Sequence, residues 1–154
     1  KWHRMLHSMT LACSILAINE PEFVAKMNRG IPPGLRQLPE SFREVSPAYR
    51  AADPDGLARW EALEHIARFD KTIMQPRMHG VTWQEAASIT APVMLIAGGS
   101  DLFVTPALMD FAAPHYRSCE SHVISNVGHS AYWEDPRSFN ALMLNFLARH
   151  GTQA

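Results

Sequence analysis

The sequence predicts an α/β fold: a buried parallel sheet with flanking helices, preceded by a helical region. Three observations carry that expectation. Pro92-Val93-Met94-Leu95-Ile96-Ala97 is apolar without alternation and closes on Gly98-Gly99, as a strand buried on both faces requires. His122-Val123-Ile124 gives a second, shorter strand. Thr105-Pro106 and Asp135-Pro136 each supply a capping side chain and a first-turn proline, so a helix follows each strand. Strand–helix–strand–helix is a βαβ unit, its strands parallel and its crossover right-handed.

Taken in order, residues 1–85 read as a small helical subdomain and residues 86–154 as the sheet-bearing part. Met5, Leu6, Met9, Ala12, Cys13 and Leu16 recur at three- and four-residue spacing, which predicts an amphipathic helix and no strand in this half. A second helix is expected from Glu20-Pro21-Glu22 to Gly30, followed by a loop at Ile31-Pro32-Pro33-Gly34. Pro39 and Pro47 forbid a long helix between them. Asp53-Pro54-Asp55-Gly56 reads as a helix start. From it Leu57, Trp60, Leu63, Ile66 and Ala67 form one buried face, with Arg59, Glu61, Glu64 and Arg68 opposite.

In the second part, Leu108, Met109, Phe111 and Ala112 belong to the crossover helix. Phe139, Leu142, Met143, Phe146 and Leu147 fall at i, i+3, i+4, i+7 and i+8 of the last helix. Arg149 and His150 complement its negative end, and Gly151 ends it. Only two strands are expected, and a two-stranded parallel sheet cannot cover its own faces and edges. The rest of the sheet is therefore expected from elsewhere. The first residue is Lys1, which suggests processing, trimming or a break in a longer chain.

Composition narrows the function. With 154 residues, 47% hydrophobic and 19% charged, the chain is long and apolar enough for one folded domain. A formal charge of −1 and the lack of a basic stripe remove the electrostatic reason to expect a nucleic-acid partner. No apolar run approaches the ~20 residues that span a bilayer, so no membrane partner is expected. Cys13 and Cys119 are far apart and the eight histidines are scattered. They read as reduced packing cysteines in a cytoplasmic protein, with no metal site and no disulfide framework.

The chemistry sits in the loops that follow the strands. Gly99-Ser100-Asp101 places a carboxylate past the end of the first strand, and Gly128-His129 places an imidazole past the second. Both face the carboxyl-end rim, where α/β sheets bind ligands. A carboxylate that fixes a histidine tautomer leaves the other ring nitrogen free for general acid–base work near neutral pH. Ser100 and Ser130 read as loop hydrogen-bonders. Glu134 reads as a carboxylate at the positive end of the last helix, and Trp133 as a packing or pocket residue.

The stretch IxAPVMLIAGGSD, then a helix and GHSAYWEDPRSFNALMLNFL, resembles the last two strands of the α/β-hydrolase family over residues 86–150. Ser46-Pro47-Ala48-Tyr49-Arg50 and Gly56-Leu57-Ala58-Arg59-Trp60 are similar, more weakly, to the helical lid of such enzymes. The resemblance implies the C-terminal part of an α/β-hydrolase sheet with a helical cap. In that family the triad runs nucleophile, acid, histidine, so Asp101 is implied as the acid and His129 as the base. Trp133 and Phe103 are implied as substrate-binding residues.

The nucleophile elbow G-x-S-x-G of that family does not occur here. The nearest approach, Leu6-His7-Ser8-Met9-Thr10, has Leu and Thr in place of both glycines and no strand before it. The expectation is a partner piece, cleaved or separately encoded, carrying the elbow and the oxyanion donors. The implied activity is serine-type hydrolysis of esters or related acyl compounds with a small apolar acyl group, and no cofactor. Two alternatives stand beside it. The tail G-H-x-A-x-W-E with F-N-x-L also resembles C–C bond hydrolases of aromatic ring-cleavage products. A degenerate hydrolase half that binds a partner through its sheet edge is the non-catalytic alternative.

Overall fold

The apolar run forms the central strand of a parallel sheet. Strand β2 (Val93–Gly98) is buried at every position and pairs with β1 (Met9–Ala12) on one side and β3 (Cys119–Ile124) on the other. These coordinates are a computed structural model, which describes residues 6–67 and 79–151. Successive side chains of a strand point to opposite faces, and β2 divides its residues accordingly. Val93, Leu95 and Ala97 pack with Phe23, Leu108 and Met109, while Met94 and Ile96 pack with Ile124, Val127 and Phe146.

Helices fill both faces. On the first lie α1 (Pro21–Gly30), α5 (Trp83–Ser88) and the crossover helix α6 (Pro106–Ala112), contributing Phe23, Ala86 and Leu108. On the second lie the single turn α7 (Ala131–Glu134) and the last helix α8 (Pro136–His150), contributing Ala131 and Phe146. The predicted caps are present: Thr105 accepts from the Leu108 N–H and Asp135 from the Ser138 N–H. No described helix is long and apolar enough to cross a membrane.

The expected helix at residues 5–16 is a strand instead. Met5 lies outside the described residues, but Met9–Ala12 runs in register with Val93–Ile96, bracketed by Met9 N–H to Pro92 O at 2.9 Å and Cys13 N–H to Ile96 O at 2.8 Å. A short apolar stretch carries no decisive period, and here the open edge of β2 outweighs local spacing. The sheet therefore has three strands among the described residues rather than two. The chain then turns sharply, with positive φ at Cys13, Leu16 and Ala17.

Between Ile18 and Val81 the chain leaves the sheet and returns. The two residues form a parallel bridge, with Asn19 N–H to Val81 O and Val81 N–H to Ala17 O both at 2.9 Å. This excursion carries α1 and then α2 (Glu40–Glu44), α3 (Pro47–Ala52) and α4 (Pro54–Ala67). Helix α4 starts at the predicted cap, where Asp53 Oδ1 accepts the Gly56 N–H at 2.8 Å. Its expected buried face is narrower than predicted. Trp60 is buried, but Leu63 is 55% and Ile66 79% exposed, because the apolar spacing meets no packing partner past Trp60 among the described residues. Arg68 lies outside them. Helix α5 (Trp83–Ser88), opened by a Thr82–Glu85 capping box, is an element the sequence reading lacks.

Candidate active site

The two groups that sequence placed on one rim meet. Because β2 and β3 are adjacent and parallel, the loops that leave their carboxyl ends are neighbours. Glycines let them close together: a Cβ on Gly98 would lie 2.1 Å from Gly128 O and 2.7 Å from Val127 O. The Ser100 N–H binds Val127 O at 2.8 Å, stitching one loop to the other.

Asp101 is buried, and both its oxygens are used. Oδ1 accepts the N–H groups of Phe103 at 2.8 Å and Val104 at 3.0 Å, which fixes the carboxylate to its own loop. Oδ2 accepts from His129 Nδ1 at 2.8 Å. A carboxylate at Nδ1 puts the proton there and leaves Nε2 with a lone pair. The imidazole is partly open to solvent, and Phe103 packs edge-on against it with ring centroids 5.0 Å apart.

His129, Phe103, Glu44, Arg43 and Cys13 share one cleft of about 580 Å³. Burial opposes the charged imidazole, but the hydrogen bond and charge of Asp101, joined by the charge of Glu44, outweigh it and hold the His129 pKa above the ordinary histidine value. Burial raises the Glu44 carboxyl, against the attraction of His129 and Arg43. The Cys13 thiol is pushed up to about 11 by burial and by the Asp101 charge, so it is protonated at neutral pH and packs rather than attacks. Cys13 and Cys119 are both free. Among the described residues no cluster of His, Cys, Asp and Glu is arranged to hold a metal.

Phe103 thus borders the candidate base. Trp133 is half-buried in α7 and borders none of the cavities found at the rim. Ser130 is buried and accepts from Trp60 Nε1 at 3.1 Å, as a loop hydrogen-bonder would. Ser8 precedes β1 at the amino end of the sheet. The six residues of β2, at ~3.3 Å each, put it roughly 20 Å from the rim, so it cannot meet His129.

Glu134 departs from expectation. Its carboxylate does not serve the start of α8, whose cap is Asp135. Instead Oε1 accepts the Gly128 N–H at 2.8 Å and Oε2 accepts the Ser46 N–H at 3.0 Å. The spacing G-H-x₄-E could have signalled the first contact. Nothing in the sequence signals the second, or the placement of Glu44, because both depend on how the excursion folds back.

No family model matches the chain. Among curated proteins, a 2-hydroxy-6-oxononadienedioate/2-hydroxy-6-oxononatrienedioate hydrolase of Pseudomonas sp. is 36% identical over 89 residues, which is 56% of this chain and 30% of that protein. Among solved structures, a thermophilic esterase from Thermogutta terrifontis superposes with a TM-score of 0.65 at 17% identity, over 99% of this chain and 59% of that one. An alpha/beta hydrolase enzyme from a Medee basin deep-sea metagenome library gives 0.65 at 17%, over 100% and 60%. The chain thus spans under a third of the curated relative and about three fifths of the solved structures it matches.

Proposed function

Since this chain has the α/β-hydrolase fold and matches its C-terminal part, we propose that it supplies the acid and base of a hydrolase that cleaves esters or related acyl compounds. The observation that carries this reading is the 2.8 Å bond from His129 Nδ1 to a buried Asp101 that is itself held by two backbone N–H groups. Nε2 is left to take the proton of a nucleophile and return it to the leaving group. In the second half-reaction it takes a proton from water, which attacks the acyl carbon, and passes that proton to the nucleophile as the bond between nucleophile and acyl group breaks. Asp101 stabilises the imidazolium that forms each time.

The nucleophile and oxyanion donors belong to a further segment, cleaved or separately encoded. Two observations support this: the sequence holds no G-x-S-x-G, and β1 has no strand on its outer side among the described residues. The segment would add its strands beyond β1 and so bring its elbow to the rim that carries Asp101 and His129. Intact-mass analysis of the purified active protein tests it. A second polypeptide, or a longer chain including this one, is expected; activity from a lone monomer of this chain would overturn it.

The second reading, C–C bond hydrolysis of a ring-cleavage product, is favoured by the likeness to the Pseudomonas hydrolase. Assay of a p-nitrophenyl ester against a vinylogous diketone ring-cleavage product separates the two. Higher kcat/KM on the ester supports the first reading, and preference for the diketone overturns it.

A further inference from the structure

The structure assigns to Glu134 a role beyond folding: it is a positioning residue for His129, clasping the cap segment at Ser46 to the loop that carries the imidazole. The inference rests on the reading of His129 as the general base. Glu134 does not touch the ring. It acts on the residues beside it.

Three hydrogen bonds meet the two residues that flank His129, and a fourth carries one of them on to Ser46. Glu134 Oε1 accepts the Gly128 N–H at 2.8 Å, while Oε2 accepts the Ser46 N–H at 3.0 Å from 88 residues away in the chain. On the other side of the imidazole, the Ser130 N–H binds Glu44 O at 3.0 Å and Ser130 Oγ accepts from Trp60 Nε1 at 3.1 Å. His129 therefore hangs between two residues that are each tied to the cap. Bonds to an ionised acceptor are the shorter and stronger kind, and a carboxylate offers a separate oxygen to each of two donors, where an amide has only one. The contact is close as well: a Cβ on Gly128 would lie 2.7 Å from Glu44 O and 2.9 Å from Ser46 N. No side chain fits between loop and cap, so a shift of residues 44–46 must carry the loop with it.

What the clasp fixes is the approach of Nδ1 to Asp101, on which the tautomer depends. The charged and titratable groups facing the ring are Asp101 from the loop after β2, Arg43 and Glu44 from α2, and Cys13 after β1. Glu134 meets the ring only through Gly128.

The test uses the active protein, with this chain and its nucleophile-bearing segment together. Glu134→Gln keeps the size but replaces one acceptor by a donor. Glu134→Asp keeps the charge but shortens the reach. Readouts are kcat, KM and the titration of His129 followed by NMR on labelled histidine. Both variants are expected to lower kcat by about 10- to 100-fold, as a small misplacement of a reacting group does, with KM little changed. Both should also move the His129 midpoint down toward the ordinary histidine value as the Asp101 contact loosens. Trp60→Phe removes the indole donor without changing charge, and should shift the midpoint in the same direction by less.

The inference is overturned if the Glu134 variants lose only melting temperature, with the His129 midpoint and kcat of the folded protein unchanged. It is equally overturned if Glu134→Asp behaves as wild type, since reach would then be irrelevant. Should neither Glu134 variant fold, Ser46→Pro decides, since it deletes the N–H that Oε2 accepts at a φ of −63°, which proline adopts: a downward midpoint supports the clasp and an unmoved one rejects it. The NMR titration needs no turnover. A wild type without hydrolytic activity would therefore count against the functional reading, while the clasp stayed measurable.

Discussion

Asp101 holds His129 with one carboxylate oxygen and its own loop with the other, at 2.8 Å to Nδ1 and at 2.8 and 3.0 Å to the N–H groups of Phe103 and Val104. This division predicts the behaviour of Asp101→Asn. The two backbone donors demand an oxygen at the Oδ1 position, so the new amide N–H₂ must face His129. The ring then has to accept at Nδ1 and carry its proton on Nε2, the wrong tautomer for a base. The fold should be preserved while kcat falls by about 10⁴, the size of the corresponding loss in a serine-protease triad. Thermal melting with steady-state hydrolysis checks it; a loss under tenfold would contradict it.

The pH profile follows from the raised His129 pKa. On the proposed reading His129 acts as a base only when neutral, so kcat/KM should fall toward acid through a midpoint above the ordinary 6.5. Glu44→Gln removes one of the charges that raises it and should move that limb to lower pH. In stability the sign is opposite in sense. The charged imidazole favours the folded state fully below pH 6.5 and loses that contribution as pH rises through the higher folded value. A profile of kcat/KM for both proteins on one neutral ester measures the shift.

Gly98 gives a test of the rim itself. Gly98→Ala drives a Cβ to 2.1 Å from Gly128 O, against backbone that cannot step aside, so the loops carrying Asp101 and His129 must part. Urea unfolding should reveal a loss of about 3 kcal/mol, the upper range for overpacking, together with loss of hydrolysis. A near-neutral variant would mean that the loops are not in contact.

Ser130→Ala measures what the Trp60 tie contributes to stability. It strands the buried Trp60 indole N–H, which should cost about 1–3 kcal/mol. The same urea experiment on Trp60→Phe/Ser130→Ala should recover part of that loss, because the orphaned donor is gone.

How far the sequence reached depends on the range of the forces involved. The β2 strand and the capped starts of α4, α6 and α8 were legible, because a proline after a capping side chain or an unbroken apolar run is a local signal. The strand at Met9–Ala12 was misread as helix, since four residues carry no period and only pairing with β2 decides them. The exposed Leu63 and Ile66 show the converse: a clear spacing with no described surface to bury it. For the site, Asp101 and His129 were legible from their loops, and Phe103 was found beside the ring. Glu44 and the second contact of Glu134 were not, because each joins residues more than 80 apart through the folding back of the excursion between Ile18 and Val81.

The most direct measurement is hydrolysis of a p-nitrophenyl ester by the protein that unites this chain with its nucleophile-bearing segment, wild type against His129→Ala. His129→Ala is expected to abolish turnover while leaving the melting curve of the fold intact. Hydrolysis that persists unchanged in His129→Ala would contradict it, and would leave the chain as a binding module on a hydrolase fold.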